Sequence, residues 1–368
     1  MSKRILIGCY EVPGYGGVST ASYQLYEHLQ RDGLDVSYLT IIDGRDEEFY
    51  LFMFGENYAN PKNLSNVSVC ELNGKLLGRH PELTSSLDAC RAEVMVGMGY
   101  IAALLMKRGM PKTPLIFLPS GCQQIKDQLA KHGDFLSLQS QLLNTKNRSA
   151  LSHQEEKEAV KLSNLIIPHS DSMQFLFQHF FPNQVGKLYD EVIWRAEWIF
   201  QGASCYSFLA KPFSERDIDI LFVASSWERP EKNFPFVRQL VPHLKDVRVH
   251  LIGECHDPLS QVTHHSLITN RDELFRIMGR TKTVVCPSVF DAAPGILYEA
   301  SALGCNIIAS KNCGNWKICH PSLLANPFTV ETVVQNIRLS LEKKLPDNMD
   351  YFFQTKSYDN LVHILEVF

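Results

Sequence analysis

No run of this 368-residue chain is apolar for long enough to cross a bilayer; stretches such as TVVCPSVF have the length of a strand. The start, MSKRILIGCYEVPG, has a short basic and a short apolar stretch, cut off by Glu11 and Pro13. It is too short for a secretion signal, so the expectation is a cytoplasmic chain with no transmembrane segment. A basic excess is also missing: 36 Lys and Arg stand against 40 Asp and Glu, a formal net charge of -4. That argues against general nucleic-acid binding. The ten cysteines are scattered and none forms a C-x-x-C pair. A zinc ribbon or dithiol redox site is therefore disfavoured, and the thiols read as reduced, mostly buried apolar residues. In a cytosolic chain the N-x-S/T triplets at Asn63, Asn66 and Asn147 are chance matches. Short-period repeats and low-complexity tracts are absent too.

What is present suits a folded protein of two domains: 45% hydrophobic and 21% charged residues over a length generous for one core. RILIGCY (4–10) is a buried-strand run, EVPGYGG (11–17) a turn, and VSTASYQLYEHLQRDG (18–33) carries a helical stripe at Val18, Ala21, Leu25 and Leu29. Gly33 stands where a C-cap glycine belongs, and LDVSYLTII (34–42) is a second strand. This βαβ unit predicts a parallel, doubly wound sheet. Further strands are expected at 92–99, 114–121 and 164–170. The same alternation restarts at DIDILFVASS (217–226), with a helix over 231–246 and strands at 247–254 and 282–288. The fold class is therefore α/β, with two Rossmann-like halves joined near 207–217.

Three loops carry chemistry. In PGYGGVST, Gly16 and Gly17 let the backbone approach a ligand at a helix start, where free N–H groups favour phosphate; alone, the loop reads equally as a tight turn. It lacks the G-x-G-x-x-G pattern of dinucleotide cofactors, and none is expected. In PSVFDAAPGILYEASALGCNIIAS (287–310), Gly295, Ile296 and Leu297 offer amides at a helix start. Glu299 follows on that helix, where it can accept from a ribose diol, and Asp291 precedes the loop and can accept from sugar hydroxyls. In SSWERPEKNF (225–234), Arg229 and Lys232 place two cations where they can neutralise a diphosphate. Asp217-x-Asp219 sits at a strand start, and His264-His265 has no Cys or acid at ligand spacing, so no metal site is expected.

Together GYGGVSTASYQLYEHLQRDGLDV, LSNLIIPHSDSM, ILFVASSWERPEKN and, most specifically, CPSVFDAAPGILYEASALGCNIIAS resemble the retaining nucleotide-sugar glycosyltransferases of GT-B fold. That family includes glycogen-synthase-like and sucrose-synthase-like enzymes. The resemblance covers nearly the whole chain. It implies two Rossmann-like domains facing a cleft: an acceptor-side domain over 1–210, to which a C-terminal helix at about 350–368 returns, and a donor domain over 211–349. It implies a metal-independent hexosyltransferase using a UDP-sugar such as UDP-glucose, with an unidentified glycan, lipid-linked or small-molecule acceptor. A UDP-sugar 2-epimerase of the same fold, or a catalytically silent nucleotide-sugar binder, are the alternatives. By resemblance, Glu299 holds the donor ribose, Asp291 contacts the transferred sugar, and the backbone of 295–297 holds the diphosphate. Arg229 and Lys232 match the leaving-group cations, Gly16 and Gly17 an N-terminal diphosphate or sugar contact, and Ile268 the backbone contact to the base. Asp291 replaces the more usual first Glu, and Ala224-Ser225 the usual glycine. Pro119 or Ser120 stands where many members have His, and 192–204 replaces an Asn-Gly turn. Acceptor loops are expected at 44–62, with Phe49, Tyr50 and Phe52, and at 119–150.

Overall fold

The structure, a computed structural model, describes residues 3–10, 16–43, 67–72, 81–125, 128–129, 133–144, 153–257 and 259–368. In chain order the first elements are β1 Ile5–Tyr10, α1 Gly17–Arg31, β2 Val36–Asp43, β3 Val67–Leu72, α2 Pro81–Cys90, β4 Val94–Met98, α3 Tyr100–Gly109 and β5 Leu115–Leu118. Then come α4 Phe135–Asn144, α5 Gln154–Leu162, β6 Leu165–Ile166, α6 Asp171–Phe180 and α7 Ala196–Ser204. The later part holds β7 Ile218–Ser226, α8 Phe234–Leu240, β8 Val249–Glu254, β9 Thr263–His265, α9 Arg271–Gly279, β10 Thr281–Cys286, α10 Gly295–Ala302 and β11 Asn306–Ala309. It ends with α11 Val330–Glu342, α12 Met349–Gln354 and α13 Ser357–Val367.

These elements form two compact units. The first holds the described residues of Met1–Ile125, Asn147–Ile193 and Ser357–Phe368; the second holds those of Lys126–Lys146 and Trp194–Lys356. The first unit contains a six-stranded sheet in the order β3-β2-β1-β4-β5-β6, and the second a five-stranded sheet in the order β11-β10-β7-β8-β9. Every pairing between neighbouring strands is parallel. Apolar runs such as Ile5-Leu6-Ile7 and Ile220-Leu221-Phe222 are buried because helices cover both faces of a parallel sheet.

Each strand order starts in the middle, winds one way, and then reverses. The reversal falls between β1 and β4 in the first sheet and between β7 and β10 in the second. Loops leaving the C-terminal ends of those strands part at this point and leave room for a ligand. In the second unit these are the loops with Lys232, after β7, and Asp291, after β10. In the first unit the loop after β1 leads to Gly16 and Gly17.

The boundaries differ from the sequence expectation. Residues 194–210 belong to the second unit rather than the first, because Trp198 and Ile199 of α7 are buried there and Trp194 stacks edge-on against Phe352 at 5.1 Å. The described part of 126–146 also joins it. At the C-terminus α12 stays with the second unit, with Phe352 5.4 Å from Tyr298, and only 357–368 lie in the first. There the Tyr358 hydroxyl donates to Asp32 Oδ2 at 2.6 Å, the Tyr358 ring meets His28 edge-on, and Leu361, Ile364 and Leu365 are buried. The helix expected over 231–246 is shorter. Pro235 is accepted in the first turn of α8, but Pro242 has no N–H to continue it, and 3₁₀ turns at Pro230–Lys232 and Val241–His243 flank the seven-residue helix.

Candidate active site

After β7 the chain turns outward at Trp227, whose amide donates to Glu254 O at 2.8 Å and whose indole N–H donates to Ile252 O at 3.0 Å. The 3₁₀ turn Pro230–Lys232 follows, and Asn233 (φ 61°) adopts the left-handed conformation that lets α8 start at once. This turn points Lys232 across the sheet. Its Nζ lies 2.5 Å from Asp291 Oδ2, and both side chains are only 17% exposed. Burial works against the ammonium, but the Asp291 carboxylate more than offsets it, so Lys232 sits above its ordinary pKa. Lys232 is thus a fixed positive charge with one small carboxylate as its partner.

Arg229 is not brought to this pair. Its side chain is 51% exposed, and Nε and Nη2 both donate to Glu231 Oε1, at 2.9 and 2.6 Å. Burial pushes the Glu231 carboxyl up and Arg229 pulls it down further, leaving it below its ordinary value.

The Asp291 loop is held from several sides. Val289 N–H donates to Glu231 O at 3.0 Å and Asn233 Nδ2 to Pro287 O at 3.0 Å, which binds it to the Lys232 turn. Asp291 N–H donates to Asn312 O at 3.1 Å, and Gly314 N–H donates to Asp291 O at 2.8 Å. Four residues later α10 begins at Gly295 behind Pro294, and no side chain caps it. The first-turn amides of a helix have no acceptor inside it, so Gly295 and Ile296 present theirs outward; Leu297 N–H turns back to Pro294 O at 3.2 Å. Glu299 lies four residues after Gly295, on the same face of α10. It is 9% exposed, and no hydrogen bond reaches its carboxylate among the described residues. Burial pushes its carboxyl above the ordinary range, and Arg271 partly pulls it back.

Ile268 lies half-buried between β9 and α9, just before Asn270, whose side chain caps α9 through the amides of Asp272 and Glu273. Arg271, which the sequence reading did not single out, has its guanidinium 5.1 Å from the Phe275 ring centre. One arginine after a helix cap carries no distinguishing pattern. In the first unit Gly16 caps α1 reciprocally with Ser19: Gly16 N–H donates to Ser19 Oγ at 3.3 Å, and the hydroxyl donates to Gly16 O at 3.0 Å. A side chain added at Gly17 would meet nothing within 4 Å among the described residues. Ser120 and Gly121 are half-buried after β5; Phe49, Tyr50 and Phe52 lie outside the described residues.

The two acids at the start of β7 serve another purpose. Asp217 pairs with Arg280, and Asp219 with Arg248 at 2.9 Å and Lys282 at 3.1 Å, at the opposite end of the strand from the Lys232 turn. Burial raises the Asp219 carboxyl, but Arg248 and Lys282 more than offset this and hold it at about 2. His264 lies 2.8 Å from Gly253 O, and His265 pairs with His250 at 2.9 Å. Among the described residues no group of three or more His, Cys, Asp or Glu side chains is arranged to hold a metal ion.

Comparison with known proteins places this geometry. Residues 217–343 match the family model described as Glycosyl transferases group 1. No curated protein sequence matches the chain. HepE of Anabaena, solved with UDP and glucose, is 13% identical with a TM-score of 0.59, over 93% of this chain and 90% of that one. Sucrose-phosphate synthase from Thermosynechococcus elongatus is 14% identical with a TM-score of 0.57, over 98% and 100%. UDP-GlcNAc 2-epimerase from Methanocaldococcus jannaschii is 12% identical with a TM-score of 0.52, over 98% and 99%. The chain therefore has the GT-B fold, and its residues 217–343 match the group 1 glycosyl transferase model.

Proposed function

We propose that this protein is a retaining, metal-independent glycosyltransferase that moves a hexose from a UDP-sugar, such as UDP-glucose, to a glycan, lipid-linked or small-molecule acceptor in the cytoplasm. The observation that carries the reading is the grouping at the β7/β10 reversal. There Lys232, from the loop after β7, pairs with Asp291 in the loop that leads to the uncapped start of α10, and Glu299 lies on that helix face with a carboxylate that no donor among the described residues satisfies. Each part suits one part of a nucleotide sugar. Glu299 accepts from the ribose hydroxyls, the amides of Gly295 and Ile296 hold the diphosphate while that of Leu297, expected to join them, is bound to Pro294 O, Ile268 meets the base through its backbone, and Asp291 receives a sugar hydroxyl. Gly16 and Gly17, at the start of α1, offer a backbone contact to a diphosphate or sugar.

The chemistry follows from charge. Breaking the anomeric C–O bond leaves negative charge on the diphosphate and positive charge on the sugar ring. Lys232 and the helix amides are already fixed where the leaving oxygens gain charge, so they stabilise the transition state with little reorganisation. Arg229 adds to the field once its guanidinium leaves Glu231. Retention with no assigned protein base suits a leaving phosphate that takes the acceptor proton itself.

The test is incubation with UDP-glucose and with UDP-GlcNAc, with products followed by NMR. Transfer to an added acceptor, or slow release of glucose with its configuration retained, is expected. A 2-epimer would instead assign the epimerase chemistry of the archaeal neighbour, and binding without any turnover would assign a silent nucleotide-sugar binder.

A further inference from the structure

We propose that Asn312 and Asn315, in the turn after β11, are positioning residues for the donor loop: Asn312 sets Asp291, and Asn315 sets the head of α10. This rests on the reading of that loop as the donor site. Asp291 has both its main-chain groups bound to this turn, through Asn312 O and Gly314 N–H. Asn312 is in turn fixed by its side chain. It is buried, and its Oδ1 accepts the Leu136 amide at 3.0 Å. The start of α4 grips the same loop one residue away, since Phe135 N–H donates to Val289 O at 2.9 Å and its ring lies 4.9 Å from Phe290. Residues 289–291 are thus clamped between the turn and α4. The backbone position of Asp291, and so the reach of its carboxylate, depends on Asn312 keeping both bonds.

Asn315 acts at the other end of the loop. It is fully buried and donates from Nδ2 to Pro294 O at 3.0 Å. Pro294 O also accepts the Leu297 amide, so Asn315 orients the peptide that aims the Gly295 and Ile296 N–H groups. The two asparagines therefore act on different parts of a donor: one on the sugar, the other on the diphosphate.

Calorimetric titration of the full chain with UDP and with UDP-glucose separates them. Asn315→Ala should weaken both ligands alike, by about fivefold to tenfold, because both carry the diphosphate. Asn312→Ala should leave UDP within about twofold but lower the affinity for UDP-glucose relative to UDP by about fivefold, the size of one lost hydrogen bond. Asn312→Asp keeps an acceptor for the Leu136 amide and should retain the parent ratio, which a merely structural role at this position does not require. Equal losses for both ligands in both alanine variants, or no loss in either, overturn the proposal. So does an Asn312→Asp protein that behaves like Asn312→Ala. A parent that binds neither nucleotide removes the donor-site reading and this inference together; a parent that binds, with variants that do not split, removes the inference alone.

Discussion

Replacing Glu299 by glutamine should make the free protein more stable and its donor complex weaker. In the free protein the Glu299 carboxylate is 9% exposed and receives no hydrogen bond among the described residues, with Arg271 offsetting only part of its desolvation. A largely desolvated carboxylate without a hydrogen-bond donor costs about 1 kcal/mol once the attraction of Arg271 is counted, the low end for an unpaired buried polar group. Glutamine keeps the shape and removes the charge. A gain of about 1 kcal/mol corresponds to a melting temperature about 2–4 °C higher. The folded carboxyl titrates above its unfolded value, so the penalty is absent below the unfolded pKa and present above the folded one. The advantage of Glu299→Gln should therefore shrink as the pH falls toward the ordinary glutamate range. Binding should move the opposite way. Two charge-assisted hydrogen bonds from the ribose are worth roughly 1.5–3 kcal/mol each, so losing their charge should weaken UDP tenfold or more. Calorimetry with UDP and its 2′-deoxy analogue isolates the contact: the parent should lose much of its affinity with the analogue, and Glu299→Gln little further. Two losses that add in full, together with a lower melting temperature, would refute the assignment and make Glu299 an ordinary structural acid of α10.

Lys232→Ala should depress kcat by on the order of a hundredfold, because charge on the leaving phosphate grows as the bond breaks. Steady-state kinetics at saturating donor measures this, and an unchanged kcat with raised KM would contradict it. Arg229→Ala should cost several times less than Lys232→Ala in kcat, since the Arg229 guanidinium is bound to Glu231 and half exposed; equal losses would give Arg229 an equal share. Asp219→Asn should destabilise the fold by about 1–2 kcal/mol at pH 7 and leave UDP affinity unchanged. Its folded pKa of about 2 lies below the unfolded value, so this contribution is present above the ordinary aspartate range and is lost as pH falls through about 2. Between pH 7 and pH 3 the gap to the parent's melting curve should narrow, and a constant gap would contradict the assignment. Deleting 358–368 exposes the apolar face of Leu361, Ile364 and Leu365's partners and should give an aggregating protein; a soluble, fully active truncation would count against that dependence.

Periodic features were legible in the sequence, and long-range hydrogen bonds were not. Buried runs such as Ile5-Leu6-Ile7 and the stripe of α1 mark the βαβ alternation directly, and the Pro294-Gly295 helix start with Glu299 behind it can be read from local spacing. β9 could not be read: Thr263-His264-His265 is a three-residue polar edge strand that exists because β8 pairs with it. Arg229 and Lys232 look equivalent three residues apart, but Glu231, between them, takes one guanidinium while Asp291, far along the chain, takes the ammonium. The roles of Asn312 and Asn315 depend on main-chain groups at Leu136, Asp291 and Pro294, and no local pattern announces those partners. The assignment of 194–210 to the second unit likewise depends on Trp194 and Trp198 finding apolar neighbours beyond residue 290.

The division of the chain also bears on its synthesis. The first unit is assembled from three separated stretches, the last of them the final twelve residues, Ser357–Phe368. A ribosome delivers β1 first, yet the helix that brings Tyr358 to Asp32 emerges only when the second unit has been made. Until then the first unit lacks its last helix, while the second unit's sheet, from Ile218 to Ala309, is delivered as one continuous run. The first unit is thus begun before the second and closed after it.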